Sequence, residues 1–210
     1  MQINNVVELK SSKNLIDYDL AIEFMNSHVD KMKNNKAKEM LWFLEHNSIF
    51  TAGTSAKEID QNIKNKKLIR YVGRGGQWTW HGPGQRVVYI MLDLKQREKD
   101  IKKFINNLEQ WIISTLKYFK IDGILQKGNP GVWIKKNNTF FKIASIGIRI
   151  SHWITWHGIS INVNPNLKYF EEIVPCGYQN GFVTSIEKEG KNVSLIQFDK
   201  KLKENFSIFF

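Results

Sequence analysis

Two side chains, Cys176 and Lys142, are the strongest candidates for covalent chemistry in this sequence. Cys176 is the only cysteine, and it lies between Pro175 and Gly177, residues typical of surface turns. A single cysteine is more often a small buried residue, but a thiol in such a loop can act as a nucleophile if its thiolate is stabilised. Lys142 is the candidate activator, because a nearby ammonium lowers the pKa of a thiol and can move its proton. The sequence separation alone does not show that they meet.

The five histidines offer a competing activator for the thiol. His81 and His157 are the better candidates, since each is followed by glycine. His28 is expected to face solvent on a first helix, His46 to follow a strand, and His152 to occupy a hairpin turn. A cysteine–histidine pair therefore stays open. With one cysteine and no HxH or HExxH spacing, no metal site is predicted.

The stretch VGRGGQWTWHGPGQ, residues 72–85, is the third feature with chemical potential. It lacks the third glycine of the dinucleotide pattern and the Gly-Lys-Ser/Thr of the Walker pattern, and no convincing helix follows it. A phosphate site is therefore disfavoured, and a slot for an extended organic ligand fits better. Because residues two apart on a strand share a face, Trp78 and Trp80 are both expected to line this slot.

The elements that must position these residues follow from the apolar pattern. A continuously apolar run over residues 87–94 predicts a buried strand, and residues 101–119 carry an apolar stripe at helical spacing. A first helix is indicated by Ile16, Leu20 and Phe24 at steps of four. Further strands are expected at residues 39–45, 68–72, 131–134, 140–150 and 153–163, and a last helix from about Ser194. This order predicts an α+β fold with a mixed β-sheet and packed helices, in one domain spanning residues 1–210.

Composition excludes several classes of protein. The chain is 42% hydrophobic and 24% charged, as in a folded domain, and it contains no apolar run of about 18 residues that predicts a membrane span. Its first residues, MQINNVVELK, do not resemble a secretion signal, and a single cysteine is typical of a reducing compartment. A cytoplasmic location is therefore expected.

The formal net charge of +11 favours acidic partners. Of the 31 basic residues only five are arginine, and most of the lysines are expected to form an ordinary solvated surface. Nucleic acid and small acidic proteins are both compatible with this charge. The tryptophans stand among glycines rather than among lysines, which argues against a nucleic-acid-binding module.

Several segments together resemble one enzyme family. They are EHNSIFTAGTSA (45–56), RGGQWTWHGPGQ (74–85), GVWI (131–134), KIASIGIRI (142–150), HGISINVN (157–164) and PCGY (175–178). In this order they resemble the signature blocks of the octanoyltransferases, the lipoyl(octanoyl) transferases of lipoate biosynthesis. The resemblance extends from about Glu45 to about Thr184.

This resemblance implies a fold, a reaction and partners. The fold is that of biotin- and lipoate-protein ligases. The reaction moves an octanoyl group from octanoyl-acyl carrier protein to a lysine of lipoyl domains in α-ketoacid dehydrogenases or of the glycine-cleavage H protein. It requires no cofactor or metal and involves neither nucleic acid nor membrane. The nearest alternative is an ATP-dependent lipoate- or biotin-protein ligase of the same fold, which would not need Cys176.

The resemblance also implies roles for individual residues. Cys176 would carry the acyl group as a thioester, and Lys142 would lower the pKa of its thiol. The implied substrate-binding residues are Arg74, Gly75, Gly76, Gln77, Trp78, Thr79, Trp80, His81, Ser145, Ile146, Gly147, Gly158, Ile159 and Ser160. Trp80 replaces the tyrosine common in the family, and Trp156 is bulkier than expected. Both are therefore expected to reshape the acyl pocket.

Overall fold

The computed structural model describes residues 7–174 and 182–210, and their strands form two sheets. The strands, numbered along the chain, are β1 (Glu8–Ser11), β2 (Met40–Leu44), β3 (Ile49–Ala52), β4 (Ile69–Tyr71), β5 (Trp78–His81), β6 (Gln85–Met91), β7 (Ile124–Gln126), β8 (Asn129–Lys136), β9 (Thr139–Ser151) and β10 (Ile154–Asn162). The larger sheet has the order β1-β2-β6-β10-β9-β8-β7, and the smaller has the order β4-β3-β5. Each sheet contains one parallel pair, β1 with β2 and β3 with β4, beside antiparallel pairs. The predicted mixed sheet of an α+β fold is confirmed.

Three α-helices pack on the larger sheet within the described residues. They are α1 (Tyr18–Lys33), α2 (Ile101–Tyr118) and α3 (Leu195–Phe206). Each begins at a polar side chain that accepts a hydrogen bond from a free backbone N–H of the first turn: Asp17, Asp100 and Ser194. Ser194 and Gln197 form a capping box, so the last helix begins where the sequence predicts it.

The two faces of the larger sheet are covered by different helices. Phe43 and Val88 point to the face that packs with α2 and α3. Their neighbours Trp42 and Tyr89 point to the opposite face, where α1 lies. The alternation follows from the two-residue period of a strand. Every residue of β2 and β6 is buried as a result, including the polar Gln85 and Arg86 at the start of β6.

Helix α1 exists as predicted, but its buried face is a different one. Leu20 is 63% exposed, whereas Ala21, Met25 and Val29 pack on the sheet. The sequence contains two overlapping apolar stripes at four-residue spacing, and the stripe that contains Met25 faces the sheet. The prediction that His28 faces solvent is wrong for the same reason: it lies on the packed face, and its Nε2 bonds to the carbonyl of Lys38.

The hairpin turn predicted at His152 is confirmed. His152 and Trp153 connect β9 and β10, and both have positive φ, 54° and 66°. Two consecutive residues of this conformation are typical of a tight hairpin. Separately, none of the helices among the described residues has the length and apolar character needed to cross a membrane.

Candidate active site

A cavity of about 470 Å³ brings together most of the predicted site residues. Its lining includes Lys142 and every described residue predicted to bind substrate except Trp80. Cys176 lies outside the described residues. Further lining residues not predicted from the sequence are Tyr18, Val87, Tyr89, Ile101, Ile105, Pro130, Ile148 and Ile150. The cavity therefore joins the glycine loop to β9, β10 and the start of α2, and its walls are mostly apolar.

The glycine loop is held over the cavity by Arg74. This side chain is only 7% exposed, and its Nη2 donates to the carbonyls of Thr51 and Gln77 at 2.8 and 2.9 Å. Its Nη1 donates to the carbonyl of Gly75 at 3.0 Å, and the Gly75 N–H donates to the Ile148 carbonyl of β9 at 3.1 Å. Arg74 thus binds backbone carbonyls of its own loop and of β3, and it also lines the cavity.

The indoles of Trp78 and Trp80 share one face of β5, as the strand period predicts. That face packs into the hydrophobic core of the smaller sheet. Both pack with Phe50 and Phe170. The Trp80 ring is fully buried and stacks on Tyr169 with ring centroids 4.8 Å apart. Trp78 is nevertheless among the residues that line the cavity, whereas Trp80 is not, so the expectation that both line the slot is wrong for Trp80.

Lys142 is a buried lysine beside the cavity. It is 4% exposed, and its Nζ lies 4.8 Å from the centroid of the Trp133 ring. The pairing of β8 and β9 shifts register between Val132 and Trp133, so the strands are irregular where Lys142 lies. Its backbone N–H donates to the carbonyl of Phe182, and its carbonyl accepts from the N–H of Thr184, both at 2.9 Å. These backbone hydrogen bonds hold Phe182 and Thr184, which follow residues 175–181, beside Lys142.

His46 and Tyr89 form a buried hydrogen-bonded pair whose proton positions are fixed by their partners. His46 Nδ1 lies 2.7 Å from the Ile16 carbonyl, which can only accept, so Nδ1 carries the proton. Nε2 therefore accepts from the Tyr89 hydroxyl at 2.6 Å. Burial lowers the pKa of His46 to about 4, which agrees with a neutral ring.

The protonation state of His81 is also fixed by its hydrogen-bond partner. The Gln85 amide nitrogen donates to the Trp80 carbonyl and to Asn162, so its oxygen accepts from His81 Nδ1 at 2.7 Å. Burial, with a smaller contribution from the nearby His46, lowers the pKa of His81 to about 3. The ring is neutral and leaves Nε2 unprotonated.

His157 also lines the cavity and is neutral. Burial, followed by the nearby Arg74 and Arg149 guanidinium groups, lowers its pKa to about 3. Its backbone has φ of 58°, a conformation that is unusual for a residue with a side chain within a strand. Backbone strain of this kind is most common at functional sites.

Comparison with known proteins identifies the family. The model of the lipoyl protein ligase A/B catalytic domain matches residues 17–207. An octanoyltransferase of Bartonella quintana is 46% identical over 99% of this chain and 88% of its own length. An octanoyltransferase of Anaplasma phagocytophilum is 43% identical over 95% of this chain and 97% of its own length. The chain belongs to the octanoyltransferases. The prediction of an acyltransferase of this family is confirmed.

Solved structures support the fold assignment. A bipartite lipoate protein ligase from Thermoplasma acidophilum aligns with a TM-score of 0.70 over 97% of this chain and 84% of its own, at 13% identity. At this identity the similarity establishes the fold alone. The predicted fold of lipoate-protein ligases is thereby confirmed.

Tyr18 and Tyr89 are the two hydroxyl-bearing residues among the lining residues that were not predicted from the sequence. Tyr18 begins α1, and its ring stacks on His81 with centroids 6.2 Å apart. Burial raises its pKa to about 12, so it keeps its proton. One signal was available for Tyr89, because it is the only hydroxyl-bearing residue in an apolar buried strand and a buried tyrosine needs a hydrogen-bond partner. No local motif pointed to Tyr18.

The described residues provide no cluster of three or more His, Cys, Asp or Glu side chains able to hold a metal ion. His46 and His81 instead bond to carbonyl, amide and hydroxyl groups.

Proposed function

We propose that this protein transfers an octanoyl group from octanoyl-acyl carrier protein to the lysine of lipoyl domains, through a thioester on Cys176. The observation that carries the proposal is the buried Lys142 in the wall of an apolar cavity. The backbone of this lysine pairs with Phe182 and Thr184, which follow the segment containing Cys176. Together with the family assignment, this supports a thiol and an ammonium acting at one end of an acyl slot.

The cavity suits a saturated chain better than a polar substrate. Ile105, Ile146, Ile148 and Ile150 are among its lining residues. Burying each methylene group is worth about 0.8 kcal/mol, so an octanoyl chain gains several kcal/mol over an acetyl group. Selection by length is graded, because one methylene discriminates by only about 1–3 kcal/mol.

The first half-reaction loads the enzyme. The Cys176 thiolate attacks the carbonyl carbon of the donor thioester, and the bond from that carbon to the carrier sulfur breaks. The carrier leaves as a thiolate and takes a proton. The Lys142 ammonium favours the attacking thiolate and can supply this proton.

The second half-reaction moves the acyl group to an amine. The acceptor lysine attacks the thioester on Cys176, an amide bond forms, and the Cys176 thiolate leaves. The amine must lose a proton in this step. His81 and His157 are poor acceptors near neutral pH, because their pKa values are lowered to about 3. Lys142 is therefore the proposed acceptor.

The proposed acceptors are lipoyl domains of α-ketoacid dehydrogenases and the glycine-cleavage H protein, and the proposed compartment is the cytoplasm. A net charge of +11 supports encounter with acidic carrier proteins and acidic lipoyl domains. A single cysteine is compatible with a reducing compartment.

Intact-protein mass spectrometry tests the covalent step. Mixing the protein with octanoyl-acyl carrier protein, without an acceptor, is expected to add one octanoyl group, and Cys176→Ala is expected to remove the adduct. Lys142→Met is expected to slow the adduct's formation by about 10²–10⁴-fold. Lys135→Met, an exposed lysine on the preceding strand β8, is the matched control and should load normally.

Two results would contradict the proposal. Product formation without any adduct on the wild-type protein would exclude the thioester route. A Cys176→Ser variant that still modifies lipoyl domains from free octanoate, only when ATP is present, would instead indicate a ligase.

A further inference from the structure

Four of the five arginines have guanidinium groups that form ion pairs or hydrogen bonds within the protein. Arg70, Arg86 and Arg97 pair with the carboxylates of Asp19, Asp199 and Glu39. Arg74 binds the backbone of the glycine loop. The fifth, Arg149, is exposed and pairs with no carboxylate in the described residues, and residues 1–6 and 175–181 contain no Asp or Glu. Its charge is therefore not used in an ion pair.

Arg149 is nevertheless held in a defined place. Its guanidinium carbon lies 4.8 Å from the centroid of the Trp156 ring, its cross-strand neighbour in the hairpin of β9 and β10. The guanidinium also lies against Gly73, where an added Cβ would come within 2.1 Å of Nη1. Stacking on an aromatic ring restricts the arginine side chain before a ligand binds. Less conformational entropy is therefore lost on binding than for a free arginine on the surface.

This guanidinium lies beside the rim of the acyl cavity: Arg149 does not itself line the cavity, but its guanidinium lies against the glycine loop, which does. Gly73, which the guanidinium contacts, is followed by Arg74 and Gly75, which line the cavity. The Arg149 charge also acts on His157, another lining residue. Gly75 donates its N–H to Ile148. Ile101, another lining residue, is 43% exposed, so the cavity opens to solvent near the start of α2. A molecule whose acyl end enters the cavity would pass this rim.

We propose that Arg149 is an anion-binding site for the arm of the acyl donor, and that it takes a phosphate group on that arm. The proposal rests on the proposed function, because it assumes an acyl thioester in the cavity. Group carriers of the coenzyme A type bear phosphate on the arm that ends in the thiol. A guanidinium presents two parallel N–H groups to phosphate, and its planar form is fixed here by the ring beneath it.

The tests use two donors with the same thioester: octanoyl-4′-phosphopantetheine, which has the phosphate, and octanoyl-pantetheine, which lacks it. Arg149→Gln is expected to raise KM for the phosphorylated donor by about tenfold and to leave KM for the other donor within about twofold. Arg149→Lys is expected to restore part of the difference, since it keeps the charge but loses the planar fork. Lys33→Gln removes one charge at the far end of α1 and should change neither donor's KM.

Each other outcome overturns the proposal in its own way. If Arg149→Gln raises KM equally for both donors, the side chain shapes the loop rather than binding phosphate. If only KM for the lipoyl-domain acceptor rises, Arg149 binds the acceptor's carboxylates instead. If the wild-type protein discriminates between the donors and Arg149→Gln keeps that discrimination, the phosphate binds elsewhere. Failure of the proposed function is distinguishable, because the wild-type protein would then use neither donor.

Discussion

Gly131 and Lys142 approach each other so closely that a Cβ atom on Gly131 would lie 2.8 Å from Lys142 Cε. The same Cβ would lie 2.5 Å from the carbonyl oxygen of Ala144, so it could not move toward that strand. Gly131 also has φ of 121°, which side chains rarely adopt. The buried lysine therefore occupies the space that a side chain at position 131 would need.

Gly131→Ala is expected to reduce kcat for acyl transfer by at least about tenfold. The added methyl group must displace the Lys142 side chain, and a tenfold effect corresponds to only about 1.4 kcal/mol of lost transition-state stabilisation. Steady-state kinetics with the acyl donor would measure this effect.

Gly128→Ala is the matched control for this variant. Gly128 also has positive φ, 81°, but an added Cβ there would meet nothing within 4 Å. Both substitutions should cost about 1–2 kcal/mol of backbone strain, seen as a lower free energy of unfolding, and Gly131→Ala should cost more because its Cβ also meets the Ala144 carbonyl oxygen. Equal kcat values in the two variants would show that the contact between Gly131 and Lys142 does not matter for the reaction.

Tyr18 and Tyr89 lie at the opposite end of the cavity from Lys142. Tyr89 on β6 pairs with Gly158 on β10, which pairs with Gly147 on β9. Lys142 is two strands away from Tyr89 and five residues from Gly147 along β9, which places the Cα atoms of Lys142 and Tyr89 about 19 Å apart. The Tyr18 ring stacks on His81 near this end of the cavity and is 2% exposed. It is positioned to limit the length of the bound chain.

Tyr18→Ala is therefore expected to shift the preference toward longer acyl groups. The ratio of kcat/KM for decanoyl over octanoyl donors should rise by about tenfold, since each buried methylene is worth about 0.8 kcal/mol. Trp80→Phe is the control: it alters a buried aromatic residue outside the cavity and should lower stability without changing the ratio. An unchanged ratio in Tyr18→Ala would remove this tyrosine from chain-length selection.

Sequence reasoning predicted those parts of the site that depend on local pattern. The glycine loop, Lys142 and the β9 and β10 segments line one cavity as predicted, because their positions follow from strand order and from short motifs. The alternation of β5 likewise gave Trp78 and Trp80 a common face. It could not say which face, because that depends on where Phe170 packs, far along the chain.

The remaining parts of the site depend on tertiary packing. Helix α1 carries two apolar stripes, and only its contact with β2 and β6 decides that Leu20 is exposed and that His28 is buried. Tyr18 reaches the cavity as a consequence of this orientation. Similarly, no sequence pattern joins His46 to both Ile16 and Tyr89, because these partners come from separate elements.

The neutral histidines beside the cavity should make the fold sensitive to acid. The folded-state pKa is about 4 for His46 and about 3 for His81 and His157, below the unfolded value of about 6.5. Below pH 6.5 the unfolded chain therefore binds protons that the folded protein does not. Stability is present in full above pH 6.5 and is lost as the pH falls toward the folded-state values, by up to about 1.4 kcal/mol per pH unit for each histidine.

His81→Gln separates this contribution from the other titrating groups. Urea unfolding at pH 7 and at pH 5 gives the loss of free energy of unfolding for each protein separately. That loss should be smaller in His81→Gln than in the wild type, by on the order of 2 kcal/mol, because one group that protonates only on unfolding has been removed. Any general destabilisation by the substitution cancels in this difference. An equal loss in both proteins would mean that His81 already accepts its proton in the folded state.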